Sequence, residues 1–291
     1  MADETNNELD GTAQASLASG HPAFDLDAYL ARIGLARAPS RDAAGLAALL
    51  QAHRMAIPFE NVDLLLGRGA DIAPSAVFDK LVRRKRGGYG FEQNSLFGLA
   101  LKALGFQSRP LLARVWSGAG DAVPARNHML HLVTIGDESF IVDAGLGRDF
   151  APPLPLRDGA TAEALGVSHR LDEDGEHGWT YSTRQPGSDE WVPQYSFTME
   201  RVWPADIDQA NHYASTHPLS PYVGTLFAHI VLPSGGASLT DRSYSRRSSK
   251  GAEKSEISSP KMLQIRLSLM FGIDLSNEEI ARIRLFDEAG N

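Results

Sequence analysis

Arg86-Gly87-Gly88-Tyr89-Gly90-Phe91-Glu92-Gln93-Asn94 is a break between two helical stretches. Ser75 to Arg84 reads as a helix, with Ser75 placed as its N-cap. Arg83-Arg84-Lys85-Arg86 supplies a cationic last turn of the kind the helix dipole favours. Gly87-Gly88 ends that helix, because glycine gives up backbone entropy wherever it is held helical. A second helix starts at about Phe91, runs to Leu104 and stops at Gly105.

Upstream, Leu26, Tyr29, Leu30 and Ile33 recur at helical spacing, and Gly34 closes the segment. A further helix runs from about Asp42, with Leu46, Leu49, Leu50 and His53 on one side, until Pro58 stops it. Downstream of Phe106 the period falls to two. Pro110 to Trp116, His128 to Ile135 and Phe140 to Ala144 read as strands, with Gly136-Asp137-Glu138-Ser139 as a hairpin turn. Further strands lie near Trp179 to Arg184 and Tyr195 to Arg201, which makes the middle of the chain an antiparallel, barrel-like unit. Helix returns over Ala205 to Ser215 and again over Ser258 to Phe271, with strands at Leu226 to Leu232 and near Leu239. The polar stretch Arg242 to Ser259 is expected to be a mobile loop. The division expected is a disordered tail over 1–20, a helical domain over 21–105, a β-barrel domain over 106–204 and an α/β domain over 205–291.

Composition sets outer limits. The chain has 291 residues, 43% hydrophobic and 22% charged, enough for two or three small cores. Nothing approaches the roughly eighteen continuous apolar residues of a membrane span. The first ten residues are acidic and polar rather than basic and then apolar, so no signal peptide is expected and the expected location is the cytoplasm. A net charge of −8 argues against broad nucleic-acid binding. There is no cysteine, so the chain has no disulfide, no Cys-ligated zinc and no thiol nucleophile.

His128 heads an apolar strand and Asp143 ends its partner. A histidine oriented by a buried carboxylate is the support structure of nucleophilic catalysis. A histidine satisfied within the core is the plainer reading. A symmetric turn over Gly136–Ser139 would set Asp143 opposite Leu132, four positions from His128 and roughly 13 Å away along the strand. An irregular register or a bulge would be needed to join them. His128 and His131 are three apart on a strand and face opposite sides, so no metal site is expected.

Several motifs together resemble the arylamine N-acetyltransferases: Pro58-Phe59-Glu60-Asn61, the Arg86–Asn94 stretch, Arg126-Asn127-His128, and Val142-Asp143-Ala144-Gly145-Leu146-Gly147, in that order and spacing. Asn211-His212-Tyr213-Ala214-Ser215-Thr216-His217-Pro218-Leu219-Ser220 and Phe271-Gly272-Ile273 are similar to motifs nearer the end of such chains. The likeness spans about Phe24 to Leu285. It implies an α+β fold of three parts: an N-terminal helical domain, an antiparallel β-barrel domain and a C-terminal α/β lid, the triad scaffold that resembles cysteine proteases. It also implies a Cys-His-Asp triad, acetyl-CoA as cosubstrate and an aromatic amine or hydrazine as acceptor. His128 would be the general base and Asp143 its orienting partner. Glu60 and Arg86 would form a supporting ion pair, and Phe59 a wall of the acceptor pocket.

Two positions depart from that pattern. Gly90 stands where the family carries its cysteine, so no acyl-enzyme can form there. Leu146 stands where phenylalanine is usual in the motif, again on the acceptor side. Ser95 lies one turn or more further along the helix and is expected to face elsewhere. Tyr89 is adjacent, but a phenol with pKa near 10 is a poor acyl carrier. The function expected is a homologue impaired in covalent acetyl transfer and retained for CoA or aromatic-ligand binding. The alternative is non-covalent acyl transfer or thioester hydrolysis with His128 as base. No phosphate-cradling motif points to CoA contacts, and Gly118, Gly120, Gly145 and Gly147 read as turn and bulge glycines.

Overall fold

The computed structural model describes residues 24–287 apart from 117, 121, 149 and 250. The expected tail over 1–20 lies outside the described residues. The chain opens with α1 (Leu26–Arg32) and α2 (Ala43–Ala56), each started by an aspartate whose carboxylate accepts a first-turn N–H. Asp25 takes the Ala28 N–H at 3.1 Å and Asp42 the Gly45 N–H at 2.7 Å. A two-residue strand β1 (Phe59–Glu60) and a short helix α3 (Val62–Leu65) come next. Then come α4 (Pro74–Phe78), which runs on into a π-helical turn over Asp79–Arg83, and α5 (Gly90–Ala103).

Ser75 is not the cap expected for α4. Ala73 takes that place and Pro74 is the first helical residue, where its missing N–H costs nothing. The π turn has no counterpart in the helical periodicity; its wider loop closes through Arg84 N–H on Asp79 O at 2.8 Å. Tyr29, Leu46, Leu50, Phe78 and Phe97 are fully or almost fully buried in one core, which Val133 and Val142 from the barrel sheet complete.

Eight strands make that sheet: β2 (Gln107–Val115), β3 (Arg126–Ile135), β4 (Glu138–Val142), β5 (Leu154–Pro155), β6 (Ala160–Ala164), β7 (Val167–Asp174), β8 (Gly178–Arg184) and β9 (Val192–Phe197). All neighbours pair antiparallel, in the order β5-β4-β3-β2-β9-β8-β7-β6, and the end strands β5 and β6 approach each other into a nearly closed barrel. Leu111, Leu130, Leu132, Tyr181, Tyr195 and Phe197 belong to one buried cluster of this barrel. Strands β5 to β7 are additions to the strands expected. In β7 the alternation is present, since Val167, His169 and Leu171 are buried between half-exposed neighbours, but a histidine holds the middle inward position. It is accommodated by the Tyr181 hydroxyl at 2.8 Å from Nδ1.

The last part holds α6 (Pro204–Thr216), α7 (Pro221–Gly224), β10 (Phe227–Leu232), β11 (Gly235–Thr240), β12 (Ser243–Ser248), β13 (Gly251–Glu256), α8 (Pro260–Phe271) and α9 (Asn277–Arg282). Its sheet has the order β1-β10-β11-β12-β13, so a strand from the helical part forms one edge. Val62 and Leu66 share a core with Leu239, Leu263, Leu267 and Phe271. The expected mobile loop over Arg242–Ser259 is therefore replaced by two strands. Their ladder is made by main-chain groups and asks for no apolar side chains, and β13 is exposed along its whole length as an edge strand. Among the described residues no helix is long and apolar enough to cross a membrane.

The β3–β4 hairpin is tighter than expected. Ile135 pairs with Glu138, so it closes over Gly136-Asp137 alone rather than over four residues. Gly136 has φ 60, the left-handed value that the first position of such a turn reserves for glycine. Gly136→Val is expected to lower unfolding stability by about 1–2 kcal/mol in urea titration, against no more than ~0.5 kcal/mol for Asp137→Ala.

Candidate active site

The tight hairpin sets the register that the site needs. His131 lies opposite Val142, which puts Asp143, one residue past β4, across from Leu130. Asp143 is thus two positions from His128, not four, and the expected gap of roughly 13 Å shrinks by half. His128 Nε2 and Asp143 Oδ2 are 2.6 Å apart, and both residues are buried. The irregularity in β3 lies on its other side, where Ala113 pairs with His128 and Arg114 with Arg126, leaving Asn127 extra.

Asp143 is well supplied with donors. Its Oδ1 accepts the Asn94 amide at 3.0 Å and the Gly145 N–H at 2.8 Å. Burial alone would raise its pKa; the facing His128 and these hydrogen bonds outweigh burial and hold the carboxyl below the usual range. Asn94 also donates to Met129 O at 2.5 Å and accepts the Ala144 N–H at 3.0 Å, so one side chain on α5 pins both strands of the hairpin. Arg54 on α2 donates to the carbonyls of Ala144, Leu146 and Arg148 and clamps the loop after Asp143.

Gly90 is the first residue of α5 and faces this pair. A β-carbon built on it would stand 3.4 Å from His128 Nδ1, 3.7 Å from Cε1 and 3.2 Å from Gly145 O. The imidazole thus gives Nε2 to Asp143 and turns Nδ1 toward residue 90. Gly145 is required by contact: a β-carbon there would collide with the Gly90 carbonyl oxygen. A β-carbon on Gly147 would press on the Phe59 ring at 3.0 Å. These two are close-approach glycines rather than turn or bulge glycines, whereas Gly118 and Gly120 do have positive φ.

A buried ionic group sits under the start of α5. Glu92 accepts the Tyr89 N–H at 3.0 Å and binds Lys80 at 2.8 Å. Lys80, carried on the π turn, also binds Asp63 at 2.8 Å. Burial raises the Glu92 pKa, only partly offset by Lys80; the lysine is pushed up by Glu92, Glu60 and Asp63 against its own desolvation. Arg86 and Glu60 meet at 2.7 Å beside this group, with Glu60 fully buried. Gln93 donates to Pro58 O at 2.8 Å and accepts from His53 Nε2 at 2.7 Å, while His53 Nδ1 accepts the Tyr29 hydroxyl at 2.9 Å. Arg54, Lys80, Gln93 and Asn94 are not among the residues the sequence nominates for the site. The one signal for them is a polar residue inside a helix whose neighbours are apolar.

Phe59 joins an aromatic group with Tyr222 at 6.0 Å, and Tyr222 lies 5.9 Å from Tyr89. Leu146 packs on the barrel core. The Tyr89 hydroxyl is bonded to the Asn211 side chain, and burial, then Glu92, holds its pKa well above that of free phenol. Ser95 opens into a cavity that none of Gly90, His128 and Asp143 lines. His131 is directed away from His128, onto Asn94 O at 2.8 Å. Among the described residues no group of three His, Cys, Asp or Glu side chains could hold a metal ion.

A family model described as N-acetyltransferase matches residues 42–280. An arylamine N-acetyltransferase of Mycolicibacterium smegmatis is 36% identical over 261 residues, covering 88% of this chain and 94% of its own length. The solved arylamine N-acetyltransferase of Salmonella typhimurium superposes with a TM-score of 0.83 at 30% identity, over 89% of this chain and 97% of that one. That of Mycobacterium marinum in complex with CoA does so with a TM-score of 0.82 at 32% identity, over 89% and 98%.

Asn94→Ala is expected to cost about 2–3 kcal/mol at neutral pH, since it strands buried partners of three hydrogen bonds. Asp143 has a depressed pKa in the folded state, so its contribution is present above the unfolded value of about 3.9 and is lost as pH falls through the folded one. The stability gap between parent and variant should therefore narrow below about pH 4 in urea titrations.

Proposed function

The chain belongs to the arylamine N-acetyltransferase family, and we propose that it is a member that binds a CoA thioester and an aromatic amine but cannot carry the acetyl group covalently. One observation carries this reading: the β-carbon position of Gly90 points at His128 Nδ1 from 3.4 Å, with Asp143 already on Nε2. A thiol on that carbon would be within reach of the imidazole as its base. Glycine offers no atom to take the acetyl group, and the chain has no cysteine elsewhere.

The energetic consequence is large. Removing the nucleophile from an assembled triad costs on the order of a million-fold in turnover, leaving what binding and charge stabilisation provide. Tyr89 does not substitute, because its hydroxyl is bonded to Asn211 and its phenolate is disfavoured by burial. The Glu60–Arg86 pair acts as support for the loop before α5, and Phe59, with Leu146 where the family usually has phenylalanine, shapes the acceptor side.

A second reading rests on the same imidazole. With Nε2 held by Asp143, Nδ1 can take a proton from an attacking amine or water. The new bond to the thioester carbonyl then forms while CoA leaves as the thiol. This requires no enzyme nucleophile and predicts slow, base-dependent turnover.

Gly90→Cys is expected to gain acetyl transfer to an arylamine by about a hundred-fold or more over the parent. A folded variant with no gain would contradict the assignment of residue 90. Calorimetry of the parent with acetyl-CoA and with an arylamine checks the binding half, and absence of both heats would overturn it. For the second reading, p-nitrophenyl acetate turnover in the parent should fall in His128→Gln; equal rates would end it.

A further inference from the structure

Behind β3, on the face opposite His128, lies a cavity of about 1560 Å³ between α5, α6, the segment Gly69–Pro74 and the outer side of the barrel. None of Gly90, His128 and Asp143 lines it. Its volume exceeds the roughly 300–1000 Å³ of ordinary small-molecule sites. Ile72, Phe106, Met129, Met199, Trp203 and Ile207 give it an apolar lining. Two methionine sulfurs and two aromatic rings around one space favour an aromatic guest, since sulfur and ring edges both pair well with a π-face.

Polar residues line it as well, and His131 stands out among them. His131 borders the cavity and is 5% exposed; its Nδ1 is buried without a hydrogen-bond partner, so a guest reaches it once the ring or its neighbours shift. Nε2 donates to Asn94 O at 2.8 Å, which leaves Nδ1 as the lone-pair nitrogen. Desolvation keeps this imidazole below the ordinary histidine range, against the pull of Asn94 O and Asp143, so the acceptor persists at neutral pH. The ring lies close against α5 only because residue 98 is glycine; a β-carbon there would be 2.7 Å from His131 Cε1. A buried acceptor without a donor is costly, and a guest that brings one recovers that cost.

The rim argues for a neutral guest. Asp71 and Asp208 line the cavity together with Lys102, Arg109 and Arg201. Arg109 is engaged by Met199 O at 3.0 Å and Glu200 O at 3.3 Å, and Arg201 stacks on the Trp203 ring at 3.9 Å. With two of its three cations engaged and two acids beside them, the rim carries little charge for an anion. We propose that this cavity is a second binding site, for a neutral aromatic molecule bearing a hydroxyl group, whose O–H donates to His131 Nδ1. The site is back to back with the triad and independent of whether residue 90 is a vacated nucleophile position.

The test uses β-naphthol and its methyl ether, which share a ring system and differ in the donor. Titrations of the full chain by calorimetry should show the naphthol binding about tenfold or more tighter than the ether. In His131→Phe the two should come within about twofold of each other, because the acceptor is gone and the apolar wall remains. Ile207→Trp fills the cavity from α6, where the side chain is only half-buried, and should weaken both ligands by about tenfold or more. Equal affinity of naphthol and ether in the parent would overturn the role of His131. Naphthol binding unchanged by Ile207→Trp, or no binding by the parent, would overturn the site.

Discussion

The Asn94 side chain is the joint on which the site depends. It donates to Asp143 and to Met129 O, and accepts from Ala144, so a helix is fixed to both strands of a hairpin by one amide. The approach is close enough that Gly145 admits no β-carbon and Gly90 O lies against it. All three groups are buried, where an unmade hydrogen bond costs most. The position of residue 90 relative to His128 is held by this joint and needs no side chain at residue 90 itself. That is why the His128–Asp143 geometry can persist although the residue it faces has no side chain.

Around the joint the chain concentrates charge that it must neutralise. Lys80, Glu92, Asp63, Arg86 and Glu60 share a small volume beneath the first turn of α5. Buried ion pairs of this kind add little net stability, but losing one partner is severe because the other charge remains. Glu92 also satisfies the Tyr89 N–H, a donor the helix start would otherwise leave open. The ions therefore serve to fix where α5 begins. The π turn supplies the lysine of this group.

The helical part is largely legible in the sequence because its helices carry apolar residues at 3.6 spacing and end at Gly34, Pro58 and Gly105. The barrel is legible where strands alternate with Leu and Val, and hidden at β7, whose central inward residue is His169. The strands β12 and β13 resemble a loop because an exposed edge ladder leaves no apolar period to detect. At the site, the sequence nominates His128 and Asp143 but does not give their distance. It hinges on whether a turn spans two residues or four, and Gly136-Asp137 and Gly136–Ser139 are equally polar. Asn94 and Arg54 leave only the faint signal of a polar residue inside a helix, since their value comes from groups far along the chain.

The proposed function keeps the His128–Asp143 geometry and drops the covalent step. Intact-mass spectrometry of the parent and of Gly90→Cys, after incubation with acetyl-CoA and rapid acid quenching, tests this most directly. One added acetyl group is predicted on the cysteine variant, mapped to the peptide that begins α5, and none on the parent. An acetyl group on the parent within that segment would contradict this reading, because another side chain would then be doing what Gly90 cannot.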